Sequence, residues 1–149
     1  MCGRYRLSKR KQLIEEYFET ANEVDWEPRY NIAPSQNVGI IRQDPSRSRR
    51  EFSQVRWGLI PCWAKEASIG HQMINARSET VADKPAFREA FKNRRCLVPA
   101  DGFYEWLRGP GRPSSPFISG CRLVRYLPLL EYGTNGGILA ATRLKPVRS

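Results

Sequence analysis

The stretch CLVPADGFYEW, residues 96–106, carries two mainly apolar runs on either side of an Asp-Gly pair. Aliphatic and aromatic runs favour strands, and Asp-Gly is a frequent turn pair between adjacent strands. The stretch therefore predicts a strand, a turn and a second strand. This local arrangement favours an antiparallel sheet.

The segments before this stretch extend the same pattern. NVGIIRQ (37–43) and EFSQVRWGLIP (51–61) have strand character, and the polar DPSRSRR (44–50) predicts a loop or hairpin connection between them. Because the strands are short and show no βαβ rhythm, the chain is predicted to adopt an α+β fold on a mostly antiparallel sheet.

Two helices are predicted beside the strands. Ser8 is a candidate cap for the first, whose apolar face at a spacing of 3.6 residues is formed by Leu13, Ile14, Tyr17, Phe18 and Ala21. The second covers KPAFREAFKNRRC (84–96), with cations near its carboxyl end, where they suit the helix dipole. Both helices are expected to pack against the sheet.

Length and composition describe a single-domain chain of 149 residues with a net charge of +10. Residues 1–106 hold eighteen basic and fourteen acidic residues, so most of the excess charge lies in the tail, residues 107–149. The four cysteines form no CxxC pair and lie near no histidine cluster, which argues against structural zinc. No apolar run is long enough for a membrane span or signal peptide, so a soluble, cytoplasmic protein is expected.

The amino terminus, MCGRYRLS, places Cys2 directly after the initiator methionine. Removal of Met1 would leave an α-amine and a thiol on one residue, with ordinary pKa values of about 8 and 8.5. An amine of this kind condenses with an aldehyde, and the thiolate can then close a five-membered thiazolidine. Cys2 is therefore a candidate nucleophile for an aldehyde, although a small residue after the start is also common without any such role.

Five stretches occur in a specific order and spacing: MCGRY (1–5), RYNIAPSQ (29–36), RWGLIPCWAKE (56–66), INARSET (74–80) and RCLVPADGFYEW (95–106). Together they resemble the SRAP family, the SOS response-associated peptidase proteins that act on abasic sites in single-stranded DNA. The resemblance covers residues 1–106 and implies a barrel-like, mostly antiparallel fold with peripheral helices. Residues 1–106 are thus expected to form the amino-terminal part of an SRAP domain.

The resemblance also implies the chemistry of the site. Cys2, after autoproteolytic loss of Met1, would form the covalent thiazolidine with the ring-opened sugar. Asn75 would hydrogen-bond at that sugar, with the capping of a turn as its structural alternative. Glu105 would move protons as the acid/base carboxylate, and its aromatic neighbours predict a raised pKa. The expected activity is that of a peptidase acting on itself, with crosslinking and lyase-like chemistry and no cofactor or metal.

The same resemblance implies contacts with the DNA strand. Arg4 and Arg77 match positions that grip phosphate oxygens, for which a guanidinium is suited. Trp63 is a candidate platform for stacking a base. Asn31 is expected either to contact DNA or to hold a loop. Trp57 and Trp106 are expected in the core.

The tail departs from the family pattern. The family's downstream histidine motif is missing, and the one histidine, His71, is expected to be an exposed loop residue. Read in another frame with permissible synonymous codons, residues 112–121 and 125–136 resemble the family's own sequence after FYEW. The tail is therefore predicted to be an atypical segment outside the family's reading frame, which leaves the carboxyl-terminal half incomplete.

The expected partner is single-stranded DNA containing abasic sites, bound by a monomer with no membrane contact and located at the nucleoid when it acts. Two alternatives remain. One is a non-catalytic or decayed remnant that binds single strands without chemistry. The other is an amino-terminal-nucleophile amidohydrolase, a class that also begins Met-Cys-Gly but does not match the other four stretches.

Overall fold

A computed structural model describes residues 3–44, 46, 49–107, 115–120, 128–131 and 137–142. For residues 44 and 105–107 and for the last three ranges it describes the backbone. Within these ranges, the two α-helices are α1 (Lys11–Phe18) and α2 (Pro85–Asn93), and a 3-10 helix covers Ala67–His71. The strands are β1 (Tyr5–Leu7), β2 (Arg29–Ile32), β3 (Asn37–Asp44), β4 (Arg49–Trp57), β5 (Asn75–Arg77), β6 (Arg95–Leu97), β7 (Gly102–Leu107), β8 (Ser115–Gly120), β9 (Pro128–Glu131) and β10 (Gly137–Thr142).

The strands form two sheets. The first sheet has the order β2-β1-β7-β8, and all of its pairings are antiparallel. The second has the order β4-β3-β6-β9-β10-β5, with parallel pairing of β10 to β5 and to β4. The prediction of an α+β fold with mostly antiparallel sheets and peripheral helices is therefore confirmed.

The main core lies where α1, both sheets and the loop before β2 meet. Its fully buried side chains include Leu7, Phe18, Ile32, Ile40 and Ile41. A second, smaller cluster packs α2 against Leu59, Ala76 and Val81. Removal of this apolar surface from water is the main stabilising contribution, at about 25 cal/mol per Å² buried.

The prediction that Ser8 caps α1 is wrong. The cap position is Arg10, which makes no side-chain capping hydrogen bond, and the Ser8 hydroxyl instead donates to Asp101. A long-range carboxylate thus takes the hydroxyl that the local pattern assigned to the helix. The expected apolar face is also narrower, because only Ile14 and Phe18 are buried.

The Asp-Gly stretch does not form a hairpin. β6 pairs with β3 and β9 in the second sheet, whereas β7 pairs with β1 and β8 in the first. The link between them therefore carries the chain from one sheet to the other. The local turn preference of Asp-Gly is compatible with such a crossing, and the partner strands were decided by tertiary packing.

The two strands predicted within residues 37–61 form a hairpin, but the second strand ends earlier than expected. β3 and β4 pair from Asn37↔Arg56 to Asp44↔Arg49. β4 stops at Trp57 because Gly58 has φ of +138°, a backbone conformation that glycine adopts and other residues rarely do. The remainder, up to Pro61, turns away as a loop.

Three of the described strands come from the tail. β8 extends the first sheet beside β7, and β9 and β10 lie between β6 and β5 in the second. The origin of residues 107–149 in another reading frame stays a prediction, as does the boundary at residue 106.

Candidate functional site

Pairing of β1 with β7 joins two of the predicted site segments. Tyr5 lies opposite Phe103, and the Tyr104 N–H donates to the Arg4 carbonyl at 2.9 Å. The side chain of Glu105, the next residue along β7, is not among those described, and neither is Cys2. The backbone nevertheless brings the segment that follows Cys2 beside the strand that carries Glu105.

Arg4 and Asn31 meet on the surface of the same sheet. Arg4 Nη1 donates to Asn31 Oδ1 at 2.9 Å, and both side chains are exposed. Asn31 reaches this place because β2 pairs with β1, with Ile32 opposite Tyr5. The contact joins the predicted phosphate-binding arginine to an amide 27 residues later in the chain, and it orients the guanidinium at the sheet surface.

A second contact at this edge was not predicted from the sequence. The Tyr104 hydroxyl donates to the Tyr30 carbonyl at 2.7 Å, and Tyr30 itself is 63% exposed. Tyr30 and Asn31 are consecutive in β2, so their side chains point to opposite faces of the strand. The sequence signal for this contact was Tyr30, the aromatic residue between Arg29 and Asn31. Local sequence alone could not distinguish it from a tyrosine of the core.

Asn75 and Arg77 lie on the second sheet, at opposite ends of the three-residue strand β5. Asn75 is half-buried and Arg77 is exposed, while Ala76 between them packs into the smaller core cluster. β5 pairs in parallel with β10 from Asn75↔Ala140 to Arg77↔Thr142. Alternation along the strand therefore places both predicted site residues on one face and the core residue on the other.

Trp57 connects the two groups of residues. Its ring lies 5.6 Å from the ring of Tyr5 on β1, and its indole N–H donates to the Ile74 carbonyl at 3.0 Å. Ile74 directly precedes Asn75. The prediction that Trp57 is a core residue is confirmed, since only 4% of it is exposed. The Trp106 side chain belongs to the part of the chain for which only the backbone is described.

Trp63 stands at the surface on the loop that follows β4, with 57% of its area exposed. It lines an open groove together with Lys65, Glu66 and His71. The loop is held to the 3-10 helix segment, because the Leu59 N–H donates to the Met73 carbonyl at 2.9 Å. The aromatic face is therefore accessible while its backbone is tethered.

His71 is exposed, as predicted, and lies at the end of the 3-10 helix with Nδ1 against the Ser68 carbonyl. Cys62 is exposed and Cys96 is buried. Among the residues that the structure describes, no group of three or more His, Cys, Asp or Glu side chains could hold a metal ion. No helix in the described ranges is long and apolar enough to span a membrane.

Comparison with known proteins agrees with the residues that suggested the family. The family model for the SOS response associated peptidase, SRAP, matches residues 1–125. The abasic site processing protein YoqW of Bacillus subtilis (strain 168) is 48% identical over 111 residues, which are 72% of this chain and 49% of that protein. HMCES of Mus musculus, also named an abasic site processing protein, is 37% identical over 121 residues, 74% of this chain and 33% of that protein.

Solved structures agree on the fold. A phage-related protein of Bordetella bronchiseptica superposes with a TM-score of 0.68 over 95% of this chain and 68% of its own, at 24% identity. A protein from Bacteroides thetaiotaomicron gives a TM-score of 0.68 at 22% identity, over 93% of this chain and 57% of its own. This chain spans about half the length of the Bacillus relative. On the match of the family model over residues 1–125, the chain belongs to the SRAP family of SOS response-associated peptidases.

Proposed function

We propose that this protein processes abasic sites in single-stranded DNA through a covalent link to Cys2. Relatives at 48% and 37% identity are named abasic site processing proteins. The link would require removal of Met1, which the protein would carry out on itself as a peptidase.

The proposed chemistry conserves atoms without an oxidant or cofactor. The Cys2 amine attacks the open-chain aldehyde of the abasic sugar and loses water to form an imine. The thiolate then adds to the imine carbon, and the nitrogen takes up a proton as the thiazolidine ring closes. Glu105 would relay protons in both steps. Asn75 would hydrogen-bond at the reacting sugar, and a lyase-like strand cleavage would proceed from the imine.

One observation carries this proposal: the 2.9 Å hydrogen bond from the Tyr104 N–H to the Arg4 carbonyl. It ties the segment that follows Cys2 to the residue next to Glu105, although the two are far apart in the chain. The contact of Trp57 with Tyr5 and Ile74 adds Asn75 to the same neighbourhood. This arrangement supports the grouping of nucleophile, carboxylate and amide that the reaction needs.

The exposed side chains support a single-stranded DNA partner. Arg4 and Arg77 offer guanidinium groups for phosphates, and Asn31 holds Arg4 at the surface. Trp63 offers an accessible ring for stacking. A single strand, whose bases can unstack, would suit this combination better than a duplex, in which the faces of the bases are covered by stacking.

The test uses the full chain and an oligonucleotide with one abasic site. We expect a heat-stable protein–DNA adduct from the wild type and none from Cys2→Ala, which lacks the thiol that closes the ring. Intact mass of both proteins shows whether Met1 has been removed, and a wild type that keeps Met1 would contradict the proposed self-processing. An oligonucleotide with a tetrahydrofuran analogue, which cannot open to an aldehyde, controls for non-specific attachment.

Two further variants separate the roles of the partners. Asn75→Ala and Glu105→Gln should slow adduct formation by about 10²–10⁴-fold, the range for a lost acid/base or positioning group. Salt-dependent DNA binding with no adduct from the wild type would instead identify a binding protein without the chemistry. Ammonia release from glutamine would identify an amidohydrolase.

A further inference from the structure

Asp101 is a buried carboxylate that the proposed reaction does not use. It directly precedes β7 and is 4% exposed, and it is the one polar or charged residue in the buried set of the described residues. Burial of a carboxylate costs free energy unless donors surround it. Its contacts therefore indicate what the carboxylate does.

Each of these contacts goes to the end of β1. Asp101 Oδ2 accepts from the backbone N–H of Ser8 at 2.6 Å and from the Ser8 hydroxyl at 2.7 Å. Asp101 Oδ1 lies 3.0 Å from Arg6 Nε as an ion pair, and the Asp101 N–H donates to the Arg6 carbonyl at 3.0 Å. We call these three residues the Asp101 bracket.

The bracket can add to the buried side chains of Tyr5 and Leu7 in fixing the register of strand β1. The strand has only three residues, and its pairing with β2 is irregular, since Tyr5 lies opposite Ile32 but Leu7 lies opposite Arg29. The regular register is therefore set on the β7 side, through Tyr5↔Phe103 and Arg6↔Gly102. A slip of two residues would keep every side chain on its own face and move the amino terminus by about 7 Å.

We propose that Asp101 is a positioning residue for the amino-terminal nucleophile. A slipped β1 would move Ser8 and Arg6 away from the carboxylate and leave it buried without them, so the bracket selects the native register. That register determines the position of the segment after Cys2 along β7, the strand that carries Glu105. The proposal rests on the proposed function, and it predicts an effect on the reaction without contact between Asp101 and DNA.

The test is Asp101→Asn in the full chain. The amide keeps the shape, and its oxygen can still accept from both groups of Ser8, but its NH₂ group then faces Arg6 Nε as a second donor and the ion pair is lost. In single-turnover reactions with the abasic oligonucleotide, the saturating rate should fall by about tenfold or more. The half-saturating DNA concentration should stay within roughly twofold, since no DNA contact is lost.

Two controls separate positioning from general damage. Thiazolidine formation with a small free aldehyde should proceed within roughly twofold of the wild-type rate, because a small aldehyde needs no fixed partner strand. Glu51→Gln neutralises a carboxylate that lies 3.9 Å from Arg42 on the second sheet, and it should leave both rates unchanged. Intact mass on the same samples establishes that Met1 has been removed.

An Asp101→Asn protein with the wild-type saturating rate overturns the proposal. Should that variant fail to fold, Ser8→Ala decides, since it removes one donor: a drop of about threefold supports the bracket, and an unchanged rate overturns it. Should the wild type form no adduct, the proposed function fails by itself. Hydrogen exchange at the Tyr104 amide then tests the bracket alone, with about tenfold faster exchange expected in Ser8→Ala and equal exchange counting against it.

Discussion

The two sheets hold their candidate site residues in different ways. On the first sheet, Arg4 and Asn31 contact each other, and their strands β1 and β2 are neighbours within the first 32 residues. On the second, Asn75 and Arg77 lie on β5, whose pairing among the described residues is with β10 of the tail. The contact of the first group is thus made within the first 32 residues, although the register of β1 is set by β7, whereas the second group pairs with a strand of the tail. The two groups can therefore be perturbed by different substitutions.

Trp57 contacts residues beside both groups, so its removal should have the largest effect. Trp57→Ala deletes a buried ring that packs on Tyr5 and leaves the Ile74 carbonyl without its donor. We expect the free energy of unfolding to fall by about 3–5 kcal/mol. Urea unfolding measures it. Trp57→Phe, which keeps a ring but lacks the N–H, should lose less, and equal losses in both variants would show that the hydrogen bond rather than the packing dominates.

Gly58 should matter next, because it attaches the Trp63 loop to the second sheet. Its φ is +138°, and a Cβ there would overlap the Gly70 carbonyl oxygen. Gly58→Ala should therefore cost about 1–3 kcal/mol of unfolding free energy. Gly3→Ala is the matched control, since a Cβ at Gly3 meets no atom within 4 Å, and it should change stability by less than about 0.5 kcal/mol. Equal values for the two glycines would contradict this account.

Substitution of Trp63 tests whether the second region binds the bases of DNA at its surface. Trp63→Ala should weaken single-stranded DNA binding by about 1–3 kcal/mol for each base that stacks on the ring. The free energy of unfolding should change by less than about 0.5 kcal/mol, because the side chain is exposed. Fluorescence anisotropy with a labelled oligonucleotide measures the first quantity. Unchanged affinity would remove Trp63 from the binding surface.

Substitution of Arg4 and of Arg77 compares the two sheets directly, because one of these residues lies at each sheet. Arg4→Ala and Arg77→Ala should each lower the slope of log affinity against log salt by about 1, the value for one lost phosphate contact. Asn31→Ala should keep the slope and weaken binding less, since it removes only the partner of Arg4. If Asn31→Ala lowers the slope as much as Arg4→Ala does, the arginine needs its amide partner to reach a phosphate.

The smallest effect is expected at an ion pair that belongs to neither region. Lys11 Nζ lies 2.7 Å from Glu23 Oε1 at the surface, and this contact lowers the pKa of Glu23 and raises the pKa of Lys11. The stabilisation by Glu23 is therefore present above its unfolded pKa and is lost as the pH falls through the lower folded value. The stabilisation by Lys11 is lost as the pH rises through its raised pKa.

The Lys11→Met variant tests the direction of this pH dependence of stability. Its unfolding midpoint in urea should lie slightly below that of the wild type at neutral pH, and the two should converge in acid, where Glu23 is protonated. A constant difference between neutral pH and acid would mean that the packing of the lysine stem, rather than its charge, matters.

Several elements were predictable because their signals are local. Helix α2 lies within residues 84–96, with its start at Pro85, and β3 and β4 follow the apolar patterns of residues 37–43 and 51–61. Periodicity reports which side of an element is buried, and this needs no knowledge of the partner. The family resemblance likewise rests on residues that can be read in order along the chain.

The wrong predictions concern segments whose local preference was overridden by a residue or a strand far away in the sequence. Ser8 has the character of a helix cap, but the buried carboxylate of Asp101 takes its hydroxyl and its N–H. Asp101-Gly102 has the character of a hairpin turn, but β6 and β7 belong to different sheets. In both places the competing interaction comes from a residue or a strand far away in sequence, which no local window contains.

The α+β class, the presence of both helices and the family could all be read from the order of the amino acids, because they depend on residue types at short spacings. Three features could be seen only in the folded chain. β6 and β7 belong to different sheets, Trp57 contacts both Tyr5 and Ile74, and the Asp101 carboxylate binds the end of β1. The hydrogen bonds among them span 17 to 93 residues of chain. They are selected by the burial of rings and of one carboxylate, whose free energies depend on the whole packed core.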